Sequence, residues 1–318
     1  MDSKLDIKCR QGDITPFWHT LPYFFLFPLR AGPLICWHTM HGMRPLRMPV
    51  ALALLALLLL AGCATPPPST VSTTPGGVPV DTRHTAQGQD SRVLFLILHY
   101  TVADTPLSIK ILTQEEVSSH YLLSDEVPPV TYRLVDESRR AWHSGPSFWK
   151  GHGMLNASSI GIEIVHPGFR ARPDGSREYL PFPKAQIDAL IPLVKDIVKR
   201  HEIRPERILG HAEVLPQYKE DPGPTFPWQR LADEGLIPWP DAARVAAQRA
   251  VYEAALPDVA WFQEALAKHG YFVPRSGLAD ETTRRVLSSF QMRYRPSNYD
   301  GQPDAETAAL VHVLTTPP

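Results

Sequence analysis

The sequence predicts an α/β domain, in which strands and helices alternate around one central sheet, followed by a small all-α domain of three helices. Three observations carry that expectation. Apolar runs at residues 92–100 and 159–166 read as core strands. Between Pro183 and Glu202, apolar residues fall at i, i+3 and i+4 spacing, the stripe of an amphipathic helix able to cover a sheet. Beyond residue 257, three short helical patterns follow one another, two of them after Asp280 and Asp304, which suit N-caps. With 318 residues and a 43% hydrophobic content, the chain can hold two such domains behind a targeting segment.

Taken in order, residues 1–42 fit no domain: prolines mix with Phe17, Trp18, Tyr23, Phe24, Phe25 and Phe27. They are expected to reflect a misassigned start, with Met43 or Met48 the true one, and an unusual extension is the alternative. Residues 43–63 then read as a signal peptide, with Arg44 and Arg47 before an apolar run from Val50 to Ala61. That run is shorter than the roughly 20 residues of a spanning helix. Leu60-Ala61-Gly62-Cys63 resembles a bacterial lipobox, which implies a lipidated Cys63 holding the chain on a membrane. The plainer reading is a cleaved signal or anchor helix with an incidental cysteine. Ala64 stands where an aspartate would resemble an inner-membrane retention signal, so the expectation is the outer membrane, on the periplasmic side. Residues 64–90 are rich in Pro, Ser, Thr and Gly and read as a flexible tether without a core; His84 within it is given no role.

The central domain is expected over residues 91–240. Its first strand, V-L-F-L-I-L-H-Y, is apolar on both faces and ends in His99, either a structural histidine or a ligand. Thr105 reads as the N-cap of a helix with Pro106 at its first position. Strands are expected at His120 to Ser124 and Val130 to Asp136, with His120 a core or supporting histidine. In S-I-G-I-E-I-V-H, period-two alternation puts Ile160, Ile162 and Ile164 on one face and Gly161, Glu163 and Val165 on the other. Glu163 is then either a solvated strand residue or a functional one, Gly161 leaves room for a substrate, and His166 sits at a rim. A short strand from Arg207 leads to Gly210, and a helix starts at Pro227-Trp228 and runs through Glu234.

The stretch from Gly210 to Gly223 holds His211, Lys219 and Asp221 where Leu215-Pro216 and Asp221-Pro222-Gly223 forbid a continuous helix, so a loop is expected to present them. A histidine and a carboxylate beside a lysine suit metal chemistry, which requires a further ligand and a proton-transfer group from elsewhere. Cys9, Cys36 and Cys63 all precede the folded part, so neither a disulfide framework nor a thiolate metal site is expected there. The net charge of −1 gives no sign of a nucleic-acid partner or an anionic surface, and a monomer is expected.

H-Y-T at 99–101, S-I-G-I-E at 159–163, G-H-A-E at 210–213 and K-E-D-P-G-P at 219–224 together resemble the zinc-dependent N-acetylmuramoyl-L-alanine amidases of the AmiD and AmpD type, related to peptidoglycan-recognition proteins. The likeness covers residues 90–240, with the motifs in the family's order. It implies a central mixed β-sheet flanked by helices and hydrolysis of the bond between N-acetylmuramic acid and L-alanine in peptidoglycan. It further implies Zn²⁺ held by His99, His211 and Asp221, Glu163 as general base and Lys219 as oxyanion stabiliser. In distant relatives a tyrosine assists near the place of Ser119, which leaves the base role to Glu163. His143, in W-H-S-G, and Asn156 are weaker candidates for substrate contact, against a structural histidine and a turn cap. A binding-only recognition protein and an amide hydrolase acting inside the stem peptide are the rival readings.

Residues 241–257 read as a helical connector. Over 258–318, the helix V-A-W-F-Q-E-A-L-A-K-H and the repeated F-Q at 262–263 and 290–291 resemble the peptidoglycan-binding domain attached to cell-wall hydrolases. Peptidoglycan and muropeptides are the partners that this implies, and a packing appendage is the alternative.

Overall fold

A computed structural model of the protein describes residues 71–317. The expected extension, signal peptide, Cys63 and the first part of the tether lie outside the described residues. Residues 71–84 belong to a unit of their own. There Val71–Thr73 (β1) and Pro79–Asp81 (β2) pair antiparallel, with Thr74 Oγ1 accepting from the Val78 amide at 3.1 Å across the turn. The expected coreless tether thus contains a hairpin, and every residue in it is exposed.

The second unit, residues 85–318, is built on a five-stranded sheet. Its strands are Phe95–Tyr100 (β3), Tyr121–Leu123 (β4), Thr131–Arg133 (β5), Ser159–Ile164 (β8) and Ile208–Gly210 (β11), in the order β11-β3-β8-β4-β5. All neighbours run parallel except β4 and β5, so the sheet is mixed. Between them lie two short hairpins, Phe148–Trp149 (β6) with His152–Gly153 (β7), and Phe169–Ala171 (β9) with Arg177–Tyr179 (β10).

Helix α1 (Thr105–Gln114) is capped by Asp104, whose carboxylate accepts from the Leu107 amide at 2.9 Å. The expected cap, Thr105, is already helical, because its neighbour is the stronger acceptor; the Thr105 hydroxyl instead donates to Asp125 at 2.7 Å. Helix α2 (Lys184–His201) ends in Lys199, Arg200 and His201, which complement the carboxyl-terminal end of its dipole. Its stripe of Ile187, Leu190, Val194 and Ile197 packs on Leu96, Leu98, Ile160, Ile162 and Ile164, as the alternation requires. Each of those buried aliphatic side chains contributes about 1.5–3 kcal/mol. One-turn α3 (His211–Val214) and α4 (Trp228–Asp233) follow β11.

The other sheet face joins the helices α5 (Ala242–Ala254), α6 (Val259–His269), α7 (Glu281–Tyr294) and α8 (Ala305–Thr315). Phe95, Ile97, Leu209 and Val214 share one buried cluster with Phe262, Leu266, Val286, Phe290 and Val311. Helix α5, in the expected connector, brings Tyr252 into that cluster, its hydroxyl 2.8 Å from His312 Nδ1. The F-Q repeat has a physical meaning: each glutamine is fully buried and ties down the turn before the next helix. Gln263 accepts from Gly277 N and donates to Leu278 O and Thr283 Oγ1; Gln291 accepts from Gly301 N and donates to Gln302 O and Thr307 Oγ1.

Candidate active site

The parallel strands end together, and the crevice at their carboxyl ends is where open α/β sheets bind ligands. Register makes His99 on β3 the direct partner of Glu163 on β8, so both side chains stand on one face at the strand ends. Strand β11 delivers His211 beside them. His211 opens the one-turn α3 rather than lying in loop, because four residues can turn before Pro216 stops the helix. The loop then returns: Ala212 N donates to Asp221 O at 2.8 Å, and this brings the Asp221 carboxylate back to the histidine. Gly210 permits the return, since a Cβ there would stand 2.7 Å from Pro222 Cδ. Glu220, fixed by Arg177 and by the Tyr179 hydroxyl at 2.7 Å, steadies the segment that carries Lys219 and Asp221.

Three donor atoms converge. His99 Nδ1 lies 3.0 Å from His211 Nδ1 and 3.1 Å from Asp221 Oδ2, and His211 Nδ1 lies 3.2 Å from the same oxygen. All three residues are buried, and together they form a group able to hold a metal ion. Burial, followed by the nearby His211 ring, pushes His99 down to about 4. Burial acts to raise Asp221, but the His211 and His99 rings overcome it and hold the carboxyl far below the usual range.

A cavity of about 290 Å³ opens over these donors, and Glu163, His211, Lys219 and Asp221 all line it. Burial, with the Asp221 charge adding and Lys219 opposing, pushes Glu163 up to about 8. Among the described residues, its buried Oε2 has no hydrogen-bond partner, an oxygen left open toward whatever occupies the cavity. Val102, Ile111, Leu112, Val117 and Trp142 form the apolar wall, and Arg140 stacks over the Trp142 ring at 3.9 Å. Of these, sequence reasoning touched only Trp142; the others come from α1 and its flanks, where an apolar residue reads as core.

The weaker candidates fall differently. His143 lines the cavity but is buried, with ring contacts to His99 and Ser159. Asn156 is not a cavity residue: its Oδ1 accepts from the His143 and Ser144 amides and the Ser144 hydroxyl, which makes it an internal cap. Gly161 does not make room for a substrate. The His143 ring fills that space, 2.5 Å from where a Cβ would be. His120 is a supporting residue, as expected: Nδ1 accepts from Gly161 N at 3.1 Å and Nε2 faces Arg139 O. Ser119 donates to Gly161 O at 2.8 Å, so its hydroxyl is committed to the strand. His166 is buried rather than at a rim, stacked 3.9 Å from the Phe182 ring.

A family model described as N-acetylmuramoyl-L-alanine amidase matches residues 89–224, and one for a peptidoglycan binding domain matches residues 256–311. The N-acetylmuramoyl-L-alanine amidase AmiD of Escherichia coli (strain K12) is 43% identical over 265 residues, covering 81% of this chain and 94% of that protein. The solved complex of E. coli AmiD with the substrate anhydro-N-acetylmuramic acid-L-Ala-D-gamma-Glu-L-Lys aligns with a TM-score of 0.69 at 41% identity, over 77% of this chain and 96% of that one. AmpDh3 from Pseudomonas aeruginosa gives a TM-score of 0.69 at 36% identity, over 74% and 96%.

Proposed function

The chain belongs to the N-acetylmuramoyl-L-alanine amidase family, and from that premise we propose that it cleaves the amide between N-acetylmuramic acid and L-alanine in muropeptides with zinc held by His99, His211 and Asp221. The observation that carries the metal assignment is the convergence of two imidazole nitrogens and one carboxylate oxygen within 3.0–3.2 Å of each other. Two nitrogens that close can share at most one proton, whereas one cation accepts all three lone pairs. The donor set fits zinc: bonds of about 2.0–2.2 Å put tetrahedral ligands roughly 3.3 Å apart, and three protein ligands leave a position open, as in catalytic sites. Bound there, zinc would polarise the scissile carbonyl and lower the pKa of the attacking water.

The chain's own groups do the rest. Glu163 takes a proton from that water and passes it to the leaving nitrogen of L-alanine, a double role that a carboxyl lining the cavity beside the metal-binding group suits. Lys219, exposed at the cavity edge, sets a positive charge where the carbonyl oxygen gathers negative charge. The apolar wall around Trp142 offers a surface for an apolar sugar face. AmiD's complex holds an anhydromuropeptide, and the same substrate class is proposed here. The carboxyl-terminal helices are proposed to bind the peptidoglycan polymer, which raises the local concentration of cleavable bonds.

The envelope location is proposed on the lipobox-like Leu60-Ala61-Gly62-Cys63 and the Ala64 that follows it: a lipidated Cys63 would tether the enzyme, as a monomer, to the periplasmic side of the outer membrane. Among the described residues, no helix is long and apolar enough to cross a membrane. Metabolic labelling with an alkyne fatty acid, present in the full chain and lost in Cys63→Ala, checks it.

The test of function is mass analysis of an anhydromuropeptide digest by residues 64–318. Free stem peptide beginning at L-alanine is expected, abolished by chelator and by Glu163→Gln. Binding without cleavage by the zinc-loaded protein, or cleavage inside the stem, would overturn the proposal.

A further inference from the structure

A buried chain of hydrogen bonds ends on the ring of His99, at the nitrogen opposite the one that meets His211 and Asp221. It starts at the carbonyl of Leu155, which can only accept, so the Ser159 hydroxyl directs its one proton there, at 2.7 Å. Toward His143 Nε2, 3.1 Å away, Ser159 Oγ is therefore the acceptor, and Nε2 carries the hydrogen. Among the described residues, no carboxylate pairs with the His143 ring. Its ring neighbours are His99 and His120, at centroid distances of 5.1 and 5.7 Å. A buried imidazole without a counter-charge stays neutral and has one N–H. Its Nδ1 is then a lone pair, 3.0 Å from His99 Nε2, and that nitrogen must donate. With its hydrogen on Nε2, His99 turns a bare Nδ1 toward His211 and Asp221.

We infer that His143 is a positioning residue for the metal centre: through Ser159 and the Leu155 carbonyl it fixes His99 in the tautomer and orientation whose Nδ1 lone pair faces the cation. The inference rests on the metal reading of the site. Partners of this kind orient a metal-binding histidine and strengthen it as a donor, and their loss typically costs 10–100-fold in metal affinity. Here the partner is a second histidine rather than a carboxylate, and three sequence features exist to hold it. Gly161 gives the His143 ring its space, Asn156 accepts its backbone amide at 3.1 Å, and Ser159 anchors its far nitrogen. The W-H-S-G motif and the S-I-G-I-E strand thus act as one unit.

Two measurements on the full chain test this. Long-range ¹H–¹⁵N NMR of the zinc-free protein should find His99 protonated at Nε2; protonation at Nδ1 would overturn the inference. Competition with a chromophoric zinc chelator should find about 10–100-fold weaker binding in His143→Phe and recovery of most of that loss in His143→Asn, whose carbonyl can accept from His99. Ser159→Ala, which removes only the far anchor, should show a smaller loss and supplies the affinity test should His143→Phe fail to fold. Zinc affinity within twofold of wild type in the folded His143→Phe protein, or in Ser159→Ala where it stands alone, overturns the relay while leaving the metal site intact. A wild-type protein that binds no zinc overturns the metal reading itself.

Discussion

Replacing Arg293 with methionine should destabilise the whole second unit, although Arg293 lies in the helical lobe, outside the catalytic constellation. The side chain is 3% exposed and reaches from α7 beneath α3, where Nη1 donates to Glu213 Oε2 at 2.6 Å and to Ile208 O at 3.1 Å. Its guanidinium also lies 4.2 Å from the Trp228 ring centroid. Glu213, 2% exposed, accepts from Gly210 N at 2.8 Å, so the pair supports the turn that presents His211. Methionine fills the volume but strands a buried carboxylate with one backbone N–H, and breaking such a pair costs about 3–5 kcal/mol. For a folded unit spanning 85–318, 1 kcal/mol corresponds to roughly 2–4 °C, so Tm should fall by about 6–20 °C. Adding Glu213→Gln removes the stranded charge and should restore more than half of the loss. Thermal melts of the two single variants and the double variant check this. A change under 1 °C in Arg293→Met, or a double variant no more stable than that single one, would refute the reasoning.

Lys219→Met should lower kcat by about 10²–10³-fold with zinc content unchanged, because the group acts on charge that develops in the reaction; steady-state kinetics with metal analysis reads both. In the zinc-free protein the Glu163 carboxyl, followed by ¹³C NMR, should titrate near 8, and zinc should move it down; a value near 4.5 contradicts the buried, unpartnered setting. The sign for stability follows: between 4.5 and 8 the folded zinc-free protein holds a proton that the unfolded chain releases. This group's contribution therefore declines as pH rises through that window.

Local patterns made much of this readable in the sequence. Strand β3 declares itself by its continuous apolar run and β8 and helix α2 by period, and the same alternation that buries Ile160, Ile162 and Ile164 aims Glu163 at the site. His99, His211 and Asp221 come together through the family resemblance that their short motifs carry; the residues alone leave His99 open as a structural histidine. What stayed hidden depends on contacts between distant segments. Nothing in S-I-G-I-E says that the space over Gly161 is filled by His143, and nothing near Asn156 says that its carbonyl faces inward onto the 143–144 backbone. Arg293 reads as one more basic residue of α7 until Glu213 is found against it. The helical lobe likewise resembles a separable appendage in sequence, yet its core is continuous with Phe95, Ile97 and Val214 of the sheet face.

Titration of the metal-stripped chain with zinc, with release of stem peptide from an anhydromuropeptide followed at each point, tests the central claim most directly. Activity should rise linearly to one equivalent and then stay flat, and Asp221→Ala should neither bind that equivalent tightly nor recover activity. Full activity in the stripped protein, or zinc-restored activity in Asp221→Ala equal to wild type, would contradict a metal centre built on His99, His211 and Asp221.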